Sequence, residues 1–285
     1  MTGRSLIRAF IPHLFLSTGA VIFLFPFLWV ALTSLKGPDE VVQVPQPWIP
    51  SVLKHWPINW KVAVDNYKKV FEMLPVWDLT RNTLYVTFMS IIGQLFACSM
   101  VGYSFARLSW PGRDIWFVVL LATMMLPPQV TFIPVFLIFR ALGWYNTMKP
   151  LWFPFFFGSA FFIFLLRQFF RTLPTDLEDA AHIDGCGHFR TFIEIMLPLV
   201  KPALGAVAVF QFMNSWNDFL GPLIYINDDR FTTLSMGVYY YKLERQGMWG
   251  EMMAVTLMMT LPAIVVFFCA QKHFVQGITL TGMKE

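Results

Sequence analysis

Charge is scarce in this chain. Only 13% of its 285 residues are Asp, Glu, Lys or Arg, about half of what a soluble domain carries. The formal net charge of +4 is small and scattered, with no Lys/Arg block of useful length, which excludes a nucleic-acid-binding reading. Cysteine is scarce too. Cys98, Cys186 and Cys269 lie in or near apolar segments and give no disulfide framework. There is no Gly-x-x-x-x-Gly-Lys-Ser/Thr loop, so the sequence shows no sign of its own ATP site. The alternation of an outer-membrane barrel is missing. A cleavable leader is not expected. Arg4 and Arg8 precede an apolar run, but residues 9–35 contain no Asp, Glu, Lys or Arg, and no small-residue cleavage site ends them.

What is there is apolar. Hydrophobic residues make up 56% of the chain, including 31 Phe and 16 Met. A soluble core would not absorb that much apolar surface. A membrane span needs about 20 apolar residues, and the charged residues divide the chain into six such stretches: 9–35, 82–106, 115–139, 150–170, 199–226 and 252–271. The fourth reaches its length only if Arg167 snorkels. All six are expected to be helices, because backbone in lipid must satisfy its own hydrogen bonds. The expected fold is therefore an all-α polytopic membrane protein.

An even number of spans puts both termini on one side. The positive-inside rule does not say which. Were the termini cytoplasmic, ten Lys/Arg (Arg4, Arg8, Arg107, Arg113, Arg167, Arg171, Arg190, Lys201, Lys272, Lys284) would lie inside and the remaining eleven of 21 outside. Pro127-Pro128 fall within the third span, where a bend or break is expected. Residues 36–81 form a long connection with Pro45, Pro47, Pro50, Pro57, Trp48, Trp56 and Trp60, expected to lie on the membrane surface. Residues 227–250 are the second sizeable loop on that side.

The connection 171–198 differs from the others. It reads RTLPTDLEDAAHIDGCGHFRTFIEIMLP. Thr175 and Glu178 have capping-box spacing, and Asp176 and Glu178 suit a helix N-terminus. Gly185 is placed to stop that helix in a left-handed conformation. A second amphipathic piece follows, with Phe189, Phe192, Ile193 and Met196 at i, i+3, i+4, i+7. This predicts two short helices around a glycine turn. On chemistry alone, an interfacial connector and a rigid knob that enters a partner's cleft remain equally open.

The same segment resembles the cytoplasmic loop signature of binding-protein-dependent ABC importer permeases. That signature is Glu-Ala-Ala, three residues, Gly, nine residues, Ile-x-Leu-Pro. Here Asp179-Ala180-Ala181 stands first, Gly185 follows His182, Ile183 and Asp184, and Ile195-Met196-Leu197-Pro198 closes it. Asp replaces Glu, keeping the charge on a shorter arm. MLPPQVTFIPVF (125–136), LLRQFFRTLP (165–174), SWNDFLGPLIY (215–225) and FVQGITLTGMK (274–284) are similar to the maltose-type carbohydrate branch. The tail departs from the family's usual Gly-Ala-Val-Lys-Gly, ending Gly282-Met283-Lys284-Glu285.

The resemblance implies a permease subunit of an ATP-driven carbohydrate importer in the bacterial inner membrane, non-catalytic itself. It implies pairing with a second, similar permease, usually as a heterodimer. It implies two ATP-binding subunits that hold ATP and Mg, and an extracytoplasmic solute-binding protein. The 171–198 loop, with Glu178, Asp179, Ala180, Ala181, Asp184, Gly185, Ile195, Leu197 and Pro198, would couple the permease to the ATPase, which places it and both termini in the cytoplasm. A non-sugar solute, or a secondary transporter driven by an ion gradient, are the alternatives.

Asp218 is the only acid well inside a span, with Asn214, Ser215 and Asn217 close by and Trp216 able to stack on a sugar face. Intramembrane ionisable groups usually face a cavity; interhelical hydrogen bonding is the plainer role. Gln94, Ser99 and Tyr103 in the second span, and Gln129 beyond the double proline, are weaker pathway candidates against ordinary packing. His182 and His188 match no metal-pair spacing.

Overall fold

A computed structural model describes the backbone of residues 3–54, 60–245 and 247–282, and the side chains of 12–54, 60–245 and 247–270. Every regular element among them is helical. Four stretches are long and apolar enough to cross a membrane, Pro12–Ser34, Val76–Arg107, Lys149–Thr172 and Trp249–Ala270, and the number rises to six if each of two bent helix pairs counts as one span. The tail residues 283–285, and Trp56 and Pro57 of the long connection, lie outside the described residues.

The helix ends follow charge and backbone chemistry. Val76–Arg107 opens with Asp78 in its first turn and closes on Arg107, the polarity the helix dipole favours. The double proline does break the third stretch. Arg113–Thr123 and Pro128–Ala141 meet at 100°. Pro127 is extended, and Pro128, lacking an N–H, opens the second half.

The fourth and fifth stretches differ from the continuous helices expected at 150–170 and 199–226. In the fourth, Lys149–Trp152 passes into a 3-10 turn, Phe153–Phe157, which stops at Gly158 before Ala160–Thr172 begins. Gly158 has φ +77, a conformation that L side chains resist. In the fifth, the helix runs Lys201–Trp216, breaks at residues 217–219 and resumes as Leu220–Tyr225. Its N-terminal end turns by 78° from residues 188–199. Apolar content is continuous across Gly158, so composition does not reveal that break, whereas the break at 217–219 falls on Asn217 and Asp218.

The chain divides into two compact units, Met1–Val76 with Gly237–Pro262, and Trp77–Met236 with Ala263–Glu285. In the first, Val70, Val76, Tyr241, Ala254 and Val255 form the core. Glu251, almost fully buried, accepts from Tyr241 Oη at 2.6 Å and pairs with Lys69 at 3.2 Å. In the second, the main core gathers Cys98, Tyr103, Phe105, Leu166, Phe170, Phe192, Met196 and Val207, with others, from several helices.

Candidate functional site

The 171–198 segment contains the helix Asp176–Ile183, the turn at Gly185, and a second short helical stretch from His188. Asp176, Glu178 and Asp179 occupy the first turn, where the helix dipole favours negative charge. The helix ends in a Schellman motif: Cys186 N–H donates to Ala181 O at 2.8 Å and Gly185 N–H to His182 O at 3.0 Å. Gly185 sits at φ +79, and a Cβ built there meets nothing within 4 Å. The constraint at 185 is therefore backbone conformation, not space.

The expected capping box does not form. Thr175 makes no side-chain cap. Glu178 reaches away from it instead. Tyr103 Oη donates to Glu178 Oε1 at 3.0 Å, and Arg107 Nη1 lies 3.3 Å from Glu178 Oε2. Tyr103 and Arg107 are one helical turn apart, so both meet the loop from one face. Arg107 also donates from Nε and Nη2 to Phe170 O, at 3.0 and 2.7 Å, and from Nη2 to Leu173 O. Its side chain is only 6% exposed. A guanidinium withdrawn from water needs its donors occupied, and here two carbonyls and a carboxylate occupy them.

The second piece is not the simple amphipathic helix that the spacing predicts. Residues Phe192–Met196 form a π-helical turn. Phe192 and Met196 enter the core, while Phe189 and Ile193 are 66% and 44% exposed. The wider π turn shifts the buried face relative to the 3.6-residue period. Tyr103 packs on Phe192 and Phe170 with ring centroids 5.1 and 5.6 Å apart. Ile195 and Leu197 are half-buried against the same core, and Pro198 is exposed.

The outer surface of the loop thus includes Asp179, Ala180, Ile183 (87% exposed), Asp184, Gly185 and Phe189, with Ala181 turned inward. His182 Nδ1 is 3.1 Å from Cys186 O, and the His182 and His188 rings meet edge to face at 4.8 Å. No group of three metal-ligating side chains occurs among the described residues.

The intramembrane candidates do not converge. Trp216 is 1% exposed and stacked on Phe212, centroids 5.4 Å apart. Asp218 Oδ1 accepts from Gly221 N–H at 3.0 Å, at the start of the Leu220–Tyr225 helix, and Ser235 Oγ donates to Asp218 O at 2.6 Å. Asn217 Nδ2 donates back to Met213 O at 2.8 Å, and Asn214 is exposed. Gln94 is fully buried and donates to Ser159 Oγ at 2.8 Å and to Cys98 Sγ at 3.0 Å. Ser99 Oγ donates to Phe96 O at 3.2 Å. Gln129 is exposed at the second residue of its half-helix. Tyr103 alone joins the loop. Arg107, the centre of the cluster, was visible in sequence only as the charge that ends the second stretch.

Residues 98–280 match the family model described as the binding-protein-dependent transport system inner membrane component. The arabinooligosaccharides transport system permease protein AraQ of Bacillus subtilis is 33% identical over 95% of this chain and 94% of its own length. The lactose transport system permease protein LacG of Rhizobium radiobacter is 28% identical over 97% of each chain. The sn-glycerol-3-phosphate transport system permease protein UgpE of Rhizobium meliloti is 28% identical over 99% of each. The fold is similar, with a TM-score of 0.81, 21% identity and coverage of 96% of this chain and 99% of the other, to a chain in the crystal structure of a bacterial ABC transporter that imports the acidic polysaccharide alginate. With a family model matched over 98–280 and a 33% identical relative aligned over nearly its whole length, this chain belongs to the family of binding-protein-dependent transport system inner membrane components.

Proposed function

We propose that this chain is one of two permease subunits of an ATP-driven carbohydrate importer, and that its 171–198 loop docks on an ATP-binding subunit. The observation that carries the reading is the build of that loop. A short helix, closed by the Gly185 turn and anchored on Tyr103 and Arg107, presents Ile183 and Phe189 outward. Exposed apolar side chains on a rigid mount suit a partner's cleft.

In this reading the chain crosses the membrane six times, each bent pair counting as one span. The loop and both termini face the cytoplasm. ATP and Mg are held by two partner subunits, in keeping with the lack of a phosphate-binding loop in this sequence. An extracytoplasmic binding protein delivers the solute, and closure of the ATPase pair turns the pathway from inward-facing to outward-facing. Carbohydrate is the favoured solute class, because relatives aligned end to end carry arabinooligosaccharide and lactose transport in their names. Asn214, Asn217 and Asp218 remain the candidate solute contacts in this chain. Gln94 and Trp216 act in packing.

The test is reconstitution of the complex in lipid vesicles, with ATP hydrolysis and uptake recorded against a panel of arabinooligosaccharides, lactose and sn-glycerol 3-phosphate. Stimulation of hydrolysis by a sugar together with its binding protein supports the reading. Stimulation by sn-glycerol 3-phosphate alone replaces the solute class. Uptake driven by an ion gradient without any ATPase overturns it.

A further inference from the structure

We infer that Arg107 and Glu178 are positioning residues that fasten the loop to the Val76–Arg107 helix, so that motion of the loop enters the membrane through that helix as well as through the segments on which the loop is threaded. The inference rests on the coupling role proposed above and adds a route to it. One guanidinium joins three pieces of chain. It closes the end of the Val76–Arg107 helix. It binds Phe170 O and Leu173 O, which lie 63 and 66 residues away at the end of the Ala160–Thr172 helix. It pairs with Glu178 in the first turn of Asp176–Ile183. The terminal carbonyls of the Ala160–Thr172 helix carry partial negative charge without intrahelical donors, and the Glu178 carboxylate in the next helix carries a full one. Arg107 meets both at once.

Both partners are withdrawn from water, with side chains 6% and 14% exposed. Sliding the loop along the helix by an ångström or two would strip a buried cation of its acceptors, which is far costlier than parting an exposed pair. Tyr103 adds a second tie, its hydroxyl on Glu178 and its ring on Phe170 and Phe192. The loop and the end of the Val76–Arg107 helix therefore move as one body. The surface offered to a partner (Ile183, Asp184, Gly185, Phe189) is separate from these buried contacts, so docking and transmission are separable.

The experiment uses the whole reconstituted complex and three variants: Arg107→Lys, which keeps the charge but loses the planar fork, Glu178→Gln, and Tyr103→Phe. Two quantities are read, co-purification of the ATP-binding subunit and solute imported per ATP hydrolysed. Co-purification is expected to persist. The ratio of solute to ATP is expected to fall about tenfold in Arg107→Lys and in Glu178→Gln, the factor that corresponds to about 1.4 kcal/mol. A fourth variant that combines Arg107→Lys with Glu178→Gln is expected to be no worse than the poorer of the two single ones, as for partners in one interaction. Unchanged ratios in both single variants, or losses that multiply in the double, overturn the inference. If Arg107→Lys does not accumulate in membranes, Tyr103→Phe decides, since it removes one hydroxyl and keeps the ring packing: a fall in its ratio supports the fastening, and an unchanged ratio overturns it. If the unaltered chain captures no ATP-binding subunit, the coupling role itself fails, and this inference with it.

Discussion

The side-chain amide of Asn66 donates to the backbone carbonyl of Lys36 at 2.9 Å, and the same nitrogen donates to Ser34 O at 2.9 Å. Asn66 is buried, and Ser34 ends the first long helix. One amide thus caps a helix whose last carbonyls would otherwise be left without donors. Asn66→Ala is expected to destabilise the protein by about 1–3 kcal/mol, the usual cost of leaving buried groups unsatisfied. Asn66→Asp should cost more, because it sets an acceptor against two acceptors. Thermal unfolding of the detergent-solubilised chain checks this, and a melting temperature unchanged in Asn66→Asp would contradict the capping role.

Glu251 makes a second prediction. Its carboxylate, 4% exposed, receives the Tyr241 hydroxyl at 2.6 Å and faces Lys69 at 3.2 Å and Arg245 at 3.8 Å. Lys69 is 42% exposed, so its share is screened. Glu251→Gln keeps an acceptor for Tyr241 but removes the charge, and a loss of about 1–3 kcal/mol is expected. Combining it with Lys69→Gln should add little, which a double-mutant cycle of unfolding temperatures measures.

At the loop, Gly185→Arg forces a side chain into φ +79, at a cost of about 1–2 kcal/mol, and projects a cation from the proposed docking surface. Capture of the ATP-binding subunit and ATP-driven uptake are expected to fall at least tenfold while the permease still reaches the membrane. Normal uptake by a correctly assembled Gly185→Arg complex would sink the docking role of this turn.

The Asp228–Arg230 turn gives a pH prediction. Arg230 donates to Asp228 from its side chain at 2.6–3.1 Å and from its backbone N–H at 3.0 Å. These bonds hold the Asp228 carboxyl down at about 2, from an ordinary value of 3.8. A depressed folded value means that the ionised carboxylate stabilises the turn in full above the ordinary value. That contribution declines below 3.8 and is gone once pH has fallen through about 2. A carbon-13 titration of the Asp228 carboxyl should show a midpoint near 2. Arg230→Gln should move it up towards 3.8, and a midpoint already at 3.8 in the unaltered chain would contradict the pairing.

Much of this was legible in the sequence, for reasons that can be stated residue by residue. The Val76–Arg107 helix closes on Arg107, the charge that ends the expected stretch 82–106, but it begins at Val76, because the exposed Asp78 and Arg81 extend it before the apolar stretch starts. Pro127-Pro128 announces the break between the two half-helices of the third stretch, because proline has no N–H to give. The break at Gly158 is hidden, because it is a backbone event inside an apolar stretch; the one at 217–219 falls on Asn217 and Asp218, which read in sequence as a polar cluster within a continuous span. The loop was found by its spacing, but its anchoring was not. Thr175 and Glu178 have the right separation for a local cap, and partners some 70 residues earlier in the chain took Glu178 instead. Local pattern does not report a tertiary competitor. Trp216 shows the same limit of local pattern: a tryptophan in a polar stretch looks available in sequence, and the fold lays Phe212 flat against it.

The open space around Gly185 has a final consequence. Nothing lies within reach of a side chain there, so the position discriminates by handedness rather than by bulk. A D-alanine introduced by semisynthesis, whose mirror-image preference suits positive φ, should be accepted with the loop intact. L-alanine, although smaller than many residues the space would hold, should not be accepted as readily. What the turn selects is a chirality of the chain, read by the residue's own backbone at φ +79 rather than by any neighbour.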